Sequence, residues 1–156
     1  MTTETLLVVA DTPLSEGADR VLKHHLSIAG IRDYKVDYVS QLPIKDFGML
    51  YNSYNLPTDQ LLQLYRDLHS RISSLNPRSI TPLGSDALRA VTNRHDLTID
   101  AAQSYVFSIA NGQTKVVPAY HPAKIFTQPD NAYWLTHALK KAQSTEKGYN
   151  VQIKVA

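Results

Sequence analysis

A chain of 156 residues without a single cysteine excludes disulfides, thiolate zinc sites and cysteine-held iron–sulfur clusters, and its length suits one domain burying roughly 70% of the surface its unfolded form exposes. The net charge of +2 and the pI near 8.8 fall short of the dense Lys/Arg stripe that marks nucleic-acid binding unaided, so charge neither supports nor excludes DNA. No apolar run approaches the roughly 18 residues of a membrane span, and the opening MTTETLLVVADTP lacks the charged start and long apolar stretch of a signal peptide, so the expectation is a cytoplasmic protein with no membrane partner.

TLLVVAD, Thr5 to Asp11, is a short apolar run that ends in the turn chemistry of Thr12-Pro13 and predicts a buried parallel strand. A helix follows, with Ser15 as N-cap, Val21, Leu22, Leu26 and Ala29 on one face and Gly30 as the stop. Tyr34 to Leu42 is β-branched and aromatic at alternate positions and predicts a second strand. PIKDFGMLYNSYNLP, with its Pro, Gly, Asn and three aromatics, is too irregular for an element and predicts a long loop of functional type. Thr58 then caps a helix whose Leu61, Leu64, Leu68 and Ile72 recur at helical spacing, and Asn76-Pro77 ends it.

RSITPLG predicts a short strand that meets a glycine, and SDALRAVTN a helix opening directly after it. SYVFSIANGQTKVVPAY predicts a hairpin, because two β-rich runs flank Asn111-Gly112, the pair favoured in a type I′ turn. PDNAYWLTHALKKAQ predicts an amphipathic helix opened by Pro129 or Asp130. The tail GYNVQIKVA, 148–156, alternates like a strand and is a candidate edge strand or partner-binding segment. Alternating strands and helices predict an α/β fold, a three-layer αβα sandwich with a mainly parallel central sheet, and residues 1–156 forming a single domain. Ligands bind such sheets outside the carboxyl ends of the strands. Asp11 ends the first strand and His121 the last, so both are expected in one crevice.

Three stretches carry polar groups to that end. ADTPLSEG either orients an acid at the crevice or is a helix-entry loop in which Asp11 and Ser15 satisfy backbone amides. In LGSDAL, Gly84 lets the backbone approach a phosphate or simply allows tight packing. In VVPAYHPAKIF, His121 is a ligand, an acid/base, a hydrogen-bond donor to an anion, or a strand-end histidine bonded to a backbone carbonyl.

Taken in order, VVADTPLSEG, NPRSITPLGSDALRAV and VVPAYHPAKIF resemble the uracil-DNA glycosylase superfamily, nearest to its compact thermophile-type branch. That branch has a Gly-Glu-x-Pro-Gly strand-end motif, a Pro-x-x-Ile-x-x-Leu-Gly-x-x-Ala stretch and a Tyr-His-Pro-Ser/Ala motif. The likeness runs from Leu6 to about Ala142. It implies the glycosylase-like version of the αβα fold and removal of uracil or a related base from DNA by hydrolysis of the N-glycosidic bond after base flipping. It also implies roles. Asp11 matches the acid that orients water or steadies the cationic sugar, and His121 the donor to the base oxygen as that becomes anionic. Thr12, Pro13 and Leu14, with Asp37 or Ser40 from the second strand, match the base pocket. Gly84, Ser85, Pro122, Ala123 and Lys124 match DNA-contacting positions, and Ile125 with Phe126 the apolar wedge that replaces the flipped base.

The departures are specific. With no cysteine, the branch's iron–sulfur cluster has no ligands, and no cofactor or metal is expected. No aromatic residue stands between Asp11 and Tyr34 to stack on the base, which leaves Phe47, Tyr51 or Tyr54 as candidates to supply it. An ionised Asp37 where the family has an asparagine only accepts hydrogen bonds and repels a base oxygen. Two functions follow from the resemblance: a cofactor-free glycosylase acting through Asp11 and His121, or a glycosylase-fold DNA-binding subunit with weakened catalysis, cytoplasmic or nucleoid-associated, meeting a replication or repair protein through its tail. A third reading, an unrelated α/β nucleotide-binding protein, lacks a phosphate-loop signature.

Overall fold

The computed structural model describes residues 3–41, 47–54, 56–94, 97, 99, 105–107 and 114–144. Its first strand, β1 (Thr3–Ala10), is apolar at every position from Leu6 to Ala10 because both of its faces are covered. Leu6, Val8 and Ala10 face one layer, Leu7 and Val9 the other, and none is more than 3% exposed. Helix α1 (Glu16–Ile28) follows, then β2 (Tyr34–Tyr38), α2 (Asp59–Leu75), β3 (Pro77–Pro82), α3 (Ser85–Thr92), β4 (Tyr105–Phe107), β5 (Thr114–Val116) and α4 (Asn131–Gln143). The sheet order is β2-β1-β3-β5-β4. The first four of these run parallel and β4 pairs antiparallel at the edge.

One layer holds α2 and α3, whose Leu61, Tyr65, Leu68, Ile72, Ala87, Leu88 and Val91 pack on Leu7, Val9 and Ile80. The other holds α1 and α4, whose Leu22, Leu26, Leu135, Ala138 and Leu139 pack on Leu6, Val8 and Val117. This is the three-layer α/β sandwich expected from the alternating pattern. Among the described residues, no helix is long and apolar enough to cross a membrane.

Local chemistry sets the boundaries. Ser15 caps α1 by accepting the Ala18 amide at 3.2 Å, and Gly30 reverses the chain at φ 75°. Asn76 closes α2 in the left-handed region, φ 49°, before Pro77 opens β3. Thr58 does occupy the N-cap of α2, but its hydroxyl is buried and takes no hydrogen bond. In the same helix the apolar face is closed by Tyr65; Leu64, expected there, is only half-buried. β2 is shorter than the predicted Tyr34 to Leu42, although Val39 and Ser40 still donate to the Ala10 and Asp11 carbonyls. The predicted hairpin strands pair antiparallel, Tyr105 with Val116 and Phe107 with Thr114, while the Asn111-Gly112 turn and the tail 148–156 lie outside the described residues.

The helices are also fastened by polar contacts. His69 of α2 donates to the Ala90 carbonyl of α3 at 2.7 Å, and His25 of α1 meets the Thr136 hydroxyl of α4 at 2.6 Å. At the amino-terminal edge of the sheet, the buried Lys115 ammonium donates to the carbonyls of Lys141 and Ser144 at 2.6 and 3.0 Å. Arg78 adds a bond to the Gln143 carbonyl. Two cations thus hold the carbonyl end of α4, where the helix dipole is negative.

Replacing Lys115 by methionine leaves those carbonyls short of donors and is expected to lower the unfolding free energy by about 1–3 kcal/mol in urea titration. Ile28→Ala, at a residue 51% exposed, should change it by less than about 0.5 kcal/mol. Burial lowers the pKa of both His25 and His69, so the unfolded chain takes up protons first on acidification. Their contribution is fully present above about pH 6.5 and is lost as pH falls through the lower folded values. Urea midpoints measured from about pH 7.5 down to about pH 5 should therefore decrease.

Candidate functional site

The loop after β1 leads to α1 on one face of the sheet and the loop after β3 to α3 on the other, although β1 and β3 are neighbours. Divergence of adjacent loops opens a crevice at the carboxyl ends of the strands, between Asp11 and Gly84. The chain after β5 runs up beside β3, with the Ala119 amide donating to Pro82 and the Gly84 amide to Ala119. This extension delivers His121 to the same crevice.

Asp11 is fixed on both sides. Its carbonyl accepts the Ser40 amide at 3.0 Å and its carboxylate Oδ1 accepts the Thr12 amide at 2.9 Å. The next residues divide their roles: Thr12 is half-buried, Pro13 exposed, and Leu14 packs against the α1/α4 core. Gly84 stands at φ 91°, a conformation that penalises any side chain. A Cβ built there lies 3.7 Å from the His121 Cβ, an ordinary contact, so backbone conformation rather than crowding requires the glycine. Ser85 is exposed as the first residue of α3.

His121 caps a 3-10 turn, Pro122–Phe126, by accepting the Ala123 amide on Nδ1 at 3.1 Å. An amide hydrogen on Nδ1 leaves the proton of the neutral ring on Nε2. Nε2 faces Asp11 Oδ1 at 3.7 Å, beyond hydrogen-bond length, so neither group is consumed by the other. Burial lowers the His121 pKa; the Asp11 charge acts against that shift and Lys124 adds to it. The imidazole is therefore held neutral, with an N–H directed into the crevice beside a carboxylate. Its backbone partner is an amide, not the carbonyl of the simplest structural reading, and that difference leaves the outer nitrogen as a donor.

Of the remaining predicted positions, Ser40 is buried next to Asp11, but Asp37 does not belong with it. Asp37 is in register with Val9 and so faces the α2 layer, where its Oδ2 accepts the Arg71 Nε at 2.8 Å and its Oδ1 the Tyr38 amide. Arg71 also bonds the Tyr38 carbonyl. The carboxylate expected in the base pocket is thus one half of an ion pair joining β2 to α2. Tyr51 is similarly committed: its hydroxyl meets that of Tyr65 at 2.8 Å and Arg89 sits over its ring. Together they line a cavity of about 320 Å³ between α2, α3 and the preceding loop. Tyr54 is exposed, and the side chain of Phe47 is outside those described.

In the His121 turn, Pro122 is buried, Ala123 and Lys124 are exposed, and Ile125 packs on the α1/α4 core. Phe126 is the protruding apolar side chain, 61% exposed. Its ring edge rests over Gly17 of α1, where an added Cβ would come within 3.2 Å of Phe126 Cζ. Sequence reasoning passed over Gly17; its signal is a glycine in the first turn of a helix, a position that costs helix stability unless something packs there.

No protein-family model matches the chain, and no curated protein matches it significantly.

The electrostatic arrangement is measurable by nuclear magnetic resonance titration of the histidines. His121 should titrate below the ordinary histidine value. Its midpoint should fall further in Asp11→Asn, which removes the favourable negative charge, and rise in Lys124→Ala, which removes the opposing positive one.

Proposed function

We propose that the protein is a DNA glycosylase that removes uracil or a related base by hydrolysing the N-glycosidic bond of a flipped nucleotide. The observation that carries this reading is the placement of His121 Nε2 3.7 Å from the Asp11 carboxylate, with Nδ1 of the same ring taken by the Ala123 amide. Heterolysis of the bond leaves its electron pair on the base and cationic character on the sugar. The His121 N–H donates to the base oxygen that gains negative charge, and Asp11 faces the sugar, where it steadies the cation and orients the water that adds to the anomeric carbon. The water's spare proton passes to the carboxylate or to solvent. A neutral imidazole suffices as donor, so the burial that depresses its pKa does not oppose the chemistry.

The turn after His121 suits contact with a duplex. Phe126, backed by Ile125, is the apolar group that would fill the gap left by the flipped base, and Lys124, with Ser85 and the amides after Gly84, would meet phosphates. Ser40 and Leu14 flank the base site.

A second reading is a DNA-binding subunit with weakened catalysis, working beside a replication or repair protein held by the tail 148–156. It is favoured by the commitment of Tyr51 to Tyr65 and Arg89, which takes from the pocket one candidate stacking ring.

Cleavage of single- and double-stranded DNA carrying one uracil separates the two. The glycosylase reading expects abasic sites from the wild type, with Asp11→Asn and His121→Ala each slower by about 100-fold or more. A silent wild type that still shifts DNA in a salt-dependent manner supports the subunit.

A further inference from the structure

Among the described residues, every large apolar side chain exposed to solvent except Ile28 lies in segments 49–56 and 126–134. These follow β2 and β5 and so flank the crevice end of the sheet. The second segment is the more organised. Helix α4 turns Leu135, Ala138, Leu139 and Ala142 into the core, which leaves Tyr133, Trp134 and His137 grouped on its outer side, with Lys140 one turn further on. Tyr133 is 67% and Trp134 41% exposed.

The three rings hold one another. Tyr133 and Trp134 meet edge to face at 5.1 Å, Trp134 and His137 at 5.7 Å, and Tyr133 stacks nearly parallel on His137 at 6.1 Å. Mutual packing of this kind fixes rotamers before any partner arrives. Residues 131–143 of the helix carry no carboxylate; the N-cap Asp130 is exposed one turn before Tyr133 and Trp134. Lys124 is exposed on the crevice side of the cluster and Lys140 on the far side, and the turn carrying Lys124 and Phe126 packs against α4.

We infer that the outer face of α4 is a stacking platform for single-stranded nucleic acid, continuing the path of the strand from the crevice across Phe126 to Tyr133 and Trp134. Flat rings between cations fit a polyanion whose bases are unstacked; a duplex keeps its base faces covered and offers only phosphates. Tyr133 to Lys140 spans about 10 Å of helix, room for two or three successive nucleotides. The inference rests on the glycosylase or DNA-binding reading for the identity of the strand as DNA.

Trp134 is the chain's sole tryptophan, so its emission reports this face directly. Titrating the full chain with an oligodeoxythymidylate about a dozen nucleotides long should give saturable quenching that weakens with salt. Tyr133→Ala and His137→Ala should each reduce single-strand affinity by about 5- to 100-fold while a blunt duplex binds as before. His121→Ala should keep the quenching even though excision is lost, which separates failure of the platform from failure of the catalytic reading. Unchanged Trp134 emission overturns the inference, as does quenching lost in His121→Ala but kept in Tyr133→Ala. So does a sedimenting dimer, dissolved by Tyr133→Ala, that covers Trp134 without DNA.

Discussion

Burial of β1 on both faces is the constraint from which the rest follows. Five consecutive apolar residues, Leu6 to Ala10, are withdrawn from water only if helices cover the sheet above and below and strands flank it on both edges. The α1/α4 and α2/α3 layers meet that requirement, each joined by one buried histidine contact between its helices. The polar groups then have one place to go. The first residue beyond the buried run is Asp11, and it emerges where the loops after β1 and β3 part to opposite faces.

The site is assembled by backbone more than by side chains. Asp11 is oriented by the Thr12 amide, Gly84 is tied to Ala119, and His121 is fixed by the Ala123 amide. Each tie comes from a neighbour in sequence or from the strand alongside, so the geometry is set once the parallel register is set. The ring tautomer of His121 follows from the same source: a peptide N–H claims one nitrogen and assigns the proton to the other.

What was legible in the sequence is what depends on neighbours. The apolar run of β1, the Ser15 cap, the Asn76 stop and the glycine before α3 are local, and the structure has them where the pattern predicts them. Asp11 was readable as the strand-end residue of a parallel sheet; His121, expected to end the last strand, lies beyond β5, which stops at Val116, and reaches the same edge on the extension that runs beside β3. The engagements that were not legible have distant partners. Asp37 lies 34 positions before Arg71, and Tyr51 14 before Tyr65; nothing near either announces the pairing. Ile125 and Phe126 are adjacent apolar residues, and only the packing of the turn on α1 and α4 decides that Ile125 turns inward and Phe126 outward.

The close approach of Phe126 to Gly17 links two elements more than a hundred residues apart. The missing methyl group on α1 is the seat on which the exposed ring rests, so the ring's reach is governed from a helix as well as from its own turn. A side chain at position 17 would therefore press on the tip of the Phe126 ring and tilt it by a few tenths of an ångström. A larger residue on the helix is compatible with a smaller or differently tilted group on the turn.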